Sequence, residues 1–175
     1  LDLLKQKKVD ACVSAGSTGA FMSGALFGVG RIKGIQRPAL GPLVPTLTGC
    51  AMLIDVGANA DCKPEFLLQF AQMGSVYMNK VMGVENPRIG LLNIGAEEEK
   101  GSALYKETHR LLKGSAMNFR GNVEGRDALE GNVDVIVADG FAGNILLKTA
   151  EGAMTFLFTL LKQELTATPV RKLAA

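Results

Sequence analysis

The chain has 175 residues, of which 47% are hydrophobic and 21% charged, enough for one domain with a sizeable core and unlike a disordered segment. A net charge of +2 gives no support to a nucleic-acid partner. Cys12, Cys50 and Cys62 have no paired spacing and His109 is the single histidine, which argues against zinc and against a disulfide framework and fits a reducing cytoplasm.

The start, Leu1-Asp-Leu-Leu-Lys5, reads like the middle of a helix, and Arg171–Ala175 stops without a closing signal. A central piece of a single α/β catalytic domain, cut at both ends, is therefore expected over 1–175. No signal peptide or membrane-spanning run occurs in the sequence. The first β-rich apolar run, Val9–Val13, is expected to be a strand and leads into Ser14-Ala-Gly-Ser-Thr-Gly19. Gly24, Gly28 and Gly30 fall within or after the helical pattern that follows, where close packing explains them better than a dinucleotide fingerprint. Arg31, Lys33 and Arg37 form a basic cluster suited to an acidic partner or to plain solvation. The segment Arg37–Thr48 carries Pro38, Pro42 and Pro45 and is expected to be extended or an edge strand.

A second strand, Met52–Val56, runs into Asp55-Val-Gly-Ala-Asn59. Pro64 then opens a helix with Phe66, Phe70, Met73, Tyr77 and Val81 on one face. The third strand, Arg88–Leu92, ends in Asn93-Ile-Gly-Ala-Glu97 and continues to Lys100-Gly101. Ser102 is a plausible N-cap for a helix burying Leu104, Thr108, Leu111 and Leu112, with His109 on its polar side. The fourth strand, Val133–Val137, ends in Asp139-Gly-Phe-Ala-Gly-Asn144, and a long helical pattern follows from about Gly143 to Leu165. Short strands without polar alternation, separated by helices, predict a doubly wound α/β sheet buried on both faces.

Ligands of such sheets bind beyond the carboxyl ends of the strands. All four expected ends carry glycine beside small polar or acidic groups, and glycine lets the backbone approach a ligand closely. Each loop alone could be an ordinary turn; the four together favour a site. Candidate ligand-binding residues are Ser14, Gly16, Ser17, Thr18, Gly19, Asp55, Gly57, Gly95, Gly140 and Gly143. Candidate catalytic residues are Asn59, Asn93, Lys100, Asp139, Asn144 and Lys148, the lysines because an anion such as phosphate needs positive charge as well as amides. Neither a Walker A spacing nor a Gly-x-Gly-x-x-Gly after a strand occurs, so no nucleotide cofactor is indicated. No nucleophile elbow or Ser–His pair stands out, and phosphate itself can serve as the nucleophile.

These loops, together with Gly34-Ile-Gln-Arg-Pro-Ala39, Gln69–Ser75, Gly90–Gly95, Gly121–Glu124 and Asp139–Thr149, closely resemble the bacterial phosphate acyltransferase family of phospholipid synthesis over essentially the whole chain. The resemblance implies a mostly parallel, three-layer α/β/α fold akin to phosphotransacetylases and to isocitrate and isopropylmalate dehydrogenases. It implies transfer of an acyl group from acyl carrier protein to inorganic phosphate, without a cofactor, the product feeding glycerol-3-phosphate acyltransferase. It also implies a homodimer in the cytoplasm, peripherally bound to the inner membrane face. Ser17 departs from the family's usual asparagine and lacks the amide's second donor. Two other readings are a coenzyme A-dependent phosphate acetyl- or butyryltransferase and a non-catalytic membrane-docking scaffold. The scaffold reading rests on the apolar crowd Met154–Leu161, for which a dimer interface is the first expectation and membrane contact the second.

Overall fold

A computed structural model describes residues 1–167; the Arg171–Ala175 end lies outside the described residues. In chain order the elements are α1 (Asp2–Lys5), α2 (Thr18–Gly28), β1 (Leu43–Thr46), β2 (Gly49–Ile54), α3 (Pro64–Lys80), β3 (Ile89–Asn93), α4 (Ala103–Lys113), β4 (Phe119–Glu124), a 3-10 turn at Asp127–Leu129, β5 (Val135–Val137) and α5 (Gly140–Leu165). The strands form one sheet in the order β1-β2-β5-β3-β4. β1 pairs antiparallel with β2, and the other neighbours are parallel.

Side-chain alternation divides the core into two halves. Met52, Ile54, Ile89, Leu91, Val135 and Val137 point to one face and pack with Leu67, Phe70, Ala71 and Met78 of α3 and Leu112 of α4. Leu53, Leu92, Val123 and Ile136 point to the other, where Leu146 and Leu147 of α5 lie. Helices on both faces of a mostly parallel sheet make the expected three-layer architecture. This explains the unbroken apolar runs, since a strand buried on both sides has no polar face to show. At the opposite end of the sheet from the glycine loops, Arg88 clamps β3 to β5: Nη2 and Nε reach the two Asp134 oxygens at 2.8 and 3.0 Å.

The structure departs from the sequence reading in four places. Val9–Val13 pairs with nothing in the sheet and stays open to solvent, with Val13 98% exposed, so Ser14–Gly19 does not follow a strand. A β-rich run becomes a strand only with a ladder partner. β4 was not expected; as an edge strand carrying Arg120, Gly121 and Asn122 it lacks the apolar run of its neighbours. His109 is buried rather than on a polar side, because β4 covers that face of α4. Its ring meets Phe119 edge-on at 5.0 Å, and Nδ1 lies 3.0 Å from Asn122 Oδ1. On α3 the buried stripe is Leu67, Phe70, Ala71, Gly74 and Met78, a step round from the expected one, so that Tyr77 and Val81 face outward.

Candidate active site

Three of the four loops meet at the carboxyl ends of the strands, and two buried carboxylates organise them. Asp55, fully buried at the end of β2, takes Leu40 N and Ala58 N on Oδ1 at 3.0 and 3.2 Å. Its Oδ2 takes the Asn59 backbone N–H at 2.7 Å and the Asn59 side-chain amide at 2.9 Å. The same Asn59 amide donates to Pro38 O at 2.8 Å. Both protons of the Asn59 side chain are thus engaged in holding the loop, and neither is left for a ligand.

Asp139 plays the corresponding part at the start of α5. Its Oδ1 caps Phe141 N and Ala142 N at 2.9 and 2.8 Å, and Oδ2 accepts the Tyr105 hydroxyl of α4 at 2.6 Å. Gly140 N donates to Asn59 O, and Gly143 N to Asp139 O. The first amides of α5 are therefore satisfied within the protein. Gly140 and Gly143 have a packing reason instead: a Cβ at Gly143 would sit 1.9 Å from Asp55 O, and one at Gly140 2.8 Å from Asn59 O. They let the helix start lie directly on the Asp55–Asn59 loop.

The groups that remain open lie around this scaffold. The Asn144 side chain makes no hydrogen bond to another described residue and faces Gly57, where a Cβ would come within 3.7 Å of its Cγ. Asn93 accepts Ile94 N on Oδ1 at 2.8 Å and gives one amide proton to Lys100 O at 3.1 Å, leaving its second proton available. Gly101, at φ +88, folds over this side chain so closely that a Cβ would lie 2.6 Å from Asn93 Oδ1. Lys100 is exposed and has no ion pair among the described residues, and its Cγ would lie 3.0 Å from a Cβ on buried Gly95. Ser102 gives α4 no side-chain cap, so the first-turn amides beside Lys100 have no side-chain partner. Lys148, one turn beyond Asn144, is exposed and ion-paired with Glu151 at 2.8 Å.

The fourth loop is Ser14–Gly19. Ser14, Gly16, Ser17, Thr18 and Gly19 are exposed, Ser14 Oγ accepts only Gly16 N at 3.2 Å, and among the described residues no hydrogen bond ties the loop to the other three. Sequence reasoning missed Tyr105. Its signal is a tyrosine next to Leu104 on a helix that buries one face, since a half-buried hydroxyl needs a partner. Burial, then the Asp139 hydrogen bond, push this hydroxyl well above its ordinary range, so it stays a donor.

Beside these polar groups lies an apolar cleft of about 740 Å³, between the ends of β3 and β4 and the first turns of α4 and α5. Leu92, Ile94, Phe141, Ile145 and Leu146 form most of its wall, with Asn93 and Tyr105 at its polar side. Ile94, Phe141 and Ile145 are at least half exposed there. Among the described residues no three His, Cys, Asp or Glu side chains converge as a metal-binding group.

The chain matches the family model described as "Fatty acid synthesis protein" over residues 1–175. A relative named phosphate acyltransferase from Clostridium tetani is 59% identical over 165 residues, covering 94% of this chain and 49% of that protein. Another of the same name, from Thermoanaerobacterium thermosaccharolyticum, is 55% identical over 175 residues, covering 100% of this chain and 53% of the relative. The chain thus spans about half the length of the curated relatives it matches. Among solved structures, a branched-chain phosphotransacylase from Enterococcus faecalis V583 aligns with a TM-score of 0.55 at 17% identity, covering 78% of this chain and 55% of that one. That likeness is one of fold alone.

Cys62 is the one thiol near these carboxylates, half-buried, with Sγ 3.3 Å from Asn59 O. Burial first, then the negative charge of Asp139, push it up to about 11. At pH 8 only about one such thiol in a thousand is ionised, which makes a poor nucleophile. Iodoacetamide at pH 8 should therefore label exposed Cys12 first, with Cys62 at least about tenfold slower and accelerating as pH rises toward 11. Peptide mass spectrometry reads the order; Cys62 labelling first would contradict the assignment.

Proposed function

The chain belongs to the fatty acid synthesis protein family, and on that premise we propose that it forms the central part of an acyl-[acyl carrier protein]:phosphate acyltransferase. The observation that carries this reading is the junction of an apolar cleft with open polar groups at the strand ends. An acyl thioester needs both: an apolar wall for its chain, and donors where the carbonyl oxygen gathers charge. At about 740 Å³ the cleft falls in the size range of ligand pockets.

In the proposed reaction a phosphate oxygen attacks the thioester carbonyl, the carbon–sulfur bond breaks, and the thiolate leaves on the carrier. A thiol with an ordinary pKa of about 8.5 leaves with little help from a general acid. Lys100 and the first-turn amides of α4 hold phosphate, since cation and helix start favour an anion together. Lys148, already paired with Glu151, is the weaker candidate. The second Asn93 proton and the open Asn144 amide stabilise the oxyanion. Asn59, with both protons engaged, braces the loop, as do Asp55 and Asp139. The exposed Ser14–Gly19 loop supplies further phosphate contacts through its hydroxyls and amides, with Ser17 in a lesser part. The product is a mixed anhydride, fit to be consumed by an acyltransferase such as that acting on glycerol 3-phosphate.

Full-length protein mixed with palmitoyl carrier protein and labelled phosphate should form labelled palmitoyl phosphate, and palmitoyl-coenzyme A should be the poorer donor. Lys100→Ala should raise the KM for phosphate at least about tenfold, and Asn144→Ala should lower kcat about 10²–10³-fold, as for other oxyanion donors. Normal phosphate kinetics in Lys100→Ala would remove that lysine from the site.

We also propose that the enzyme acts as a homodimer at the membrane surface, joined through the far half of α5. Phe156, Leu157, Phe158, Leu160 and Leu161 are all exposed there, and Gly152 has open space around it. Leaving several large apolar side chains in water forgoes roughly 1.5–3 kcal/mol each. No helix among the described residues is long and apolar enough to cross a membrane. Phe156→Asp combined with Leu160→Asp should convert the full-length protein to monomer or aggregate in sedimentation, with vesicle binding lost as a consequence. An intact dimer would place the interface elsewhere, and an intact dimer that no longer binds vesicles would assign this face to the membrane.

A further inference from the structure

The basic cluster after α2 has no part in the chemistry above, and its setting is unusual. No acidic residue occurs between Asp10 and Asp55, whereas Arg31, Lys33 and Arg37 do. The loop carrying them is held down on α3. Gln69 accepts Gln36 N at 2.8 Å and donates to Gly34 O at 3.1 Å, and Arg31 donates to Gln36 O. Arg37 lies over the Phe66 ring, 5.8 Å from its centroid, in the first turn of α3 that Lys63 opens. Arg31, Lys33, Arg37 and Lys63 have no ion pair among the described residues. Between α2 and this loop lies an open hollow of about 710 Å³, lined by Leu26, Phe27, Arg31, Gln36, Arg37 and Phe66. Phe27 in its wall is 84% exposed, and Ile32, next to Arg31 in the chain, is 74% exposed.

The hollow adjoins the active site through the backbone. Arg37 is followed by Pro38, whose carbonyl binds the Asn59 side chain, and Leu40 N binds Asp55. Whatever docks there arrives beside the loop that anchors the site.

We propose that this hollow docks an acidic, amphipathic helix of the protein that delivers the acyl thioester. The inference rests on the carrier-thioester reading above. Uncompensated guanidiniums supply the charge complement, and Leu26, Phe27 and Phe66 supply apolar contact in the same hollow. A lone phosphate would stay hydrated in so wide a hollow, and a flat membrane would not fill a concave one. Charge-steered docking of this kind shows up as a salt-dependent on-rate.

The test uses the full-length protein with two donors, acylated carrier protein and a small acyl-N-acetylcysteamine thioester, each with saturating phosphate. Arg31→Glu with Arg37→Glu should raise the KM for the carrier at least about tenfold and flatten its salt dependence, with the small donor unaffected. Lys33→Glu, at an exposed side chain with no hydrogen bond or ion pair among the described residues, should move the carrier KM the same way by a smaller factor and guards against misfolding of the double variant. An unchanged carrier KM in both variants would overturn the proposal, as would an equal loss with the small donor. Loss of binding to phosphatidylglycerol vesicles with an unchanged carrier KM would assign the cluster to lipid and overturn it as well. Failure of the underlying reading looks different: wild-type protein would form no acyl phosphate from the carrier thioester, and the proposal would fall with its premise.

Discussion

A buried carboxylate sets the terms for everything at the carboxyl edge of this sheet. Asp55 is fully removed from water and accepts four N–H groups, from Leu40, Ala58 and both the backbone and side chain of Asn59. Burying such a group without partners would cost several kcal/mol, so the segments that supply them are compelled to converge. The segment before β1, the loop after β2 and, through Asn59 O and Gly140 N, the start of α5 become one unit. Asp139 extends that unit to α4 through Tyr105.

A division of labour follows among residues that look alike in sequence. Asn59, Asn93 and Asn144 are all asparagines near strand ends: Asn59 in the loop after β2, Asn93 closing β3 and Asn144 near the start of α5. Asn59 has both amide protons engaged in structure, Asn93 keeps one proton free, and the Asn144 side chain is open. Lys100 and Lys148 differ in the same way, one without an ion pair among the described residues and one paired with Glu151. The glycines also separate. Gly140 and Gly143 admit backbone to backbone, whereas Gly101 takes a positive φ to close over Asn93. The chemistry proposed here falls to the groups that structure leaves unengaged, of which Asn93 borders the apolar cleft.

Much of this architecture was legible in the sequence, and the exceptions have physical causes. Strands buried on both faces announce themselves as apolar runs, so Met52–Val56, Arg88–Leu92 and Val133–Val137 were placed to within a few residues. The prolines of Arg37–Thr48 marked the antiparallel edge strand β1. Val9–Val13 misled because its composition suits a strand but nothing pairs with it. β4 hid because an edge strand can carry Arg120, Gly121 and Asn122 without penalty, and missing it put His109 on the wrong side of α4. At the site, the loops could be found from glycine and small polar residues, but hydrogen-bond partners decide which side chains are open. Those partners are distant in sequence: Pro38 for Asn59, and Tyr105 for Asp139.

The central claim is that this scaffold brings two substrates together and needs no acyl-enzyme. Isotope exchange tests it directly. Full-length protein, acylated carrier protein and labelled free carrier are incubated without phosphate, and label is followed into the acylated carrier. Direct attack by phosphate predicts no exchange until phosphate is added, because nothing on the protein accepts the acyl group. Exchange at a rate comparable to turnover, in the absence of phosphate, would show an acyl-enzyme and contradict the account.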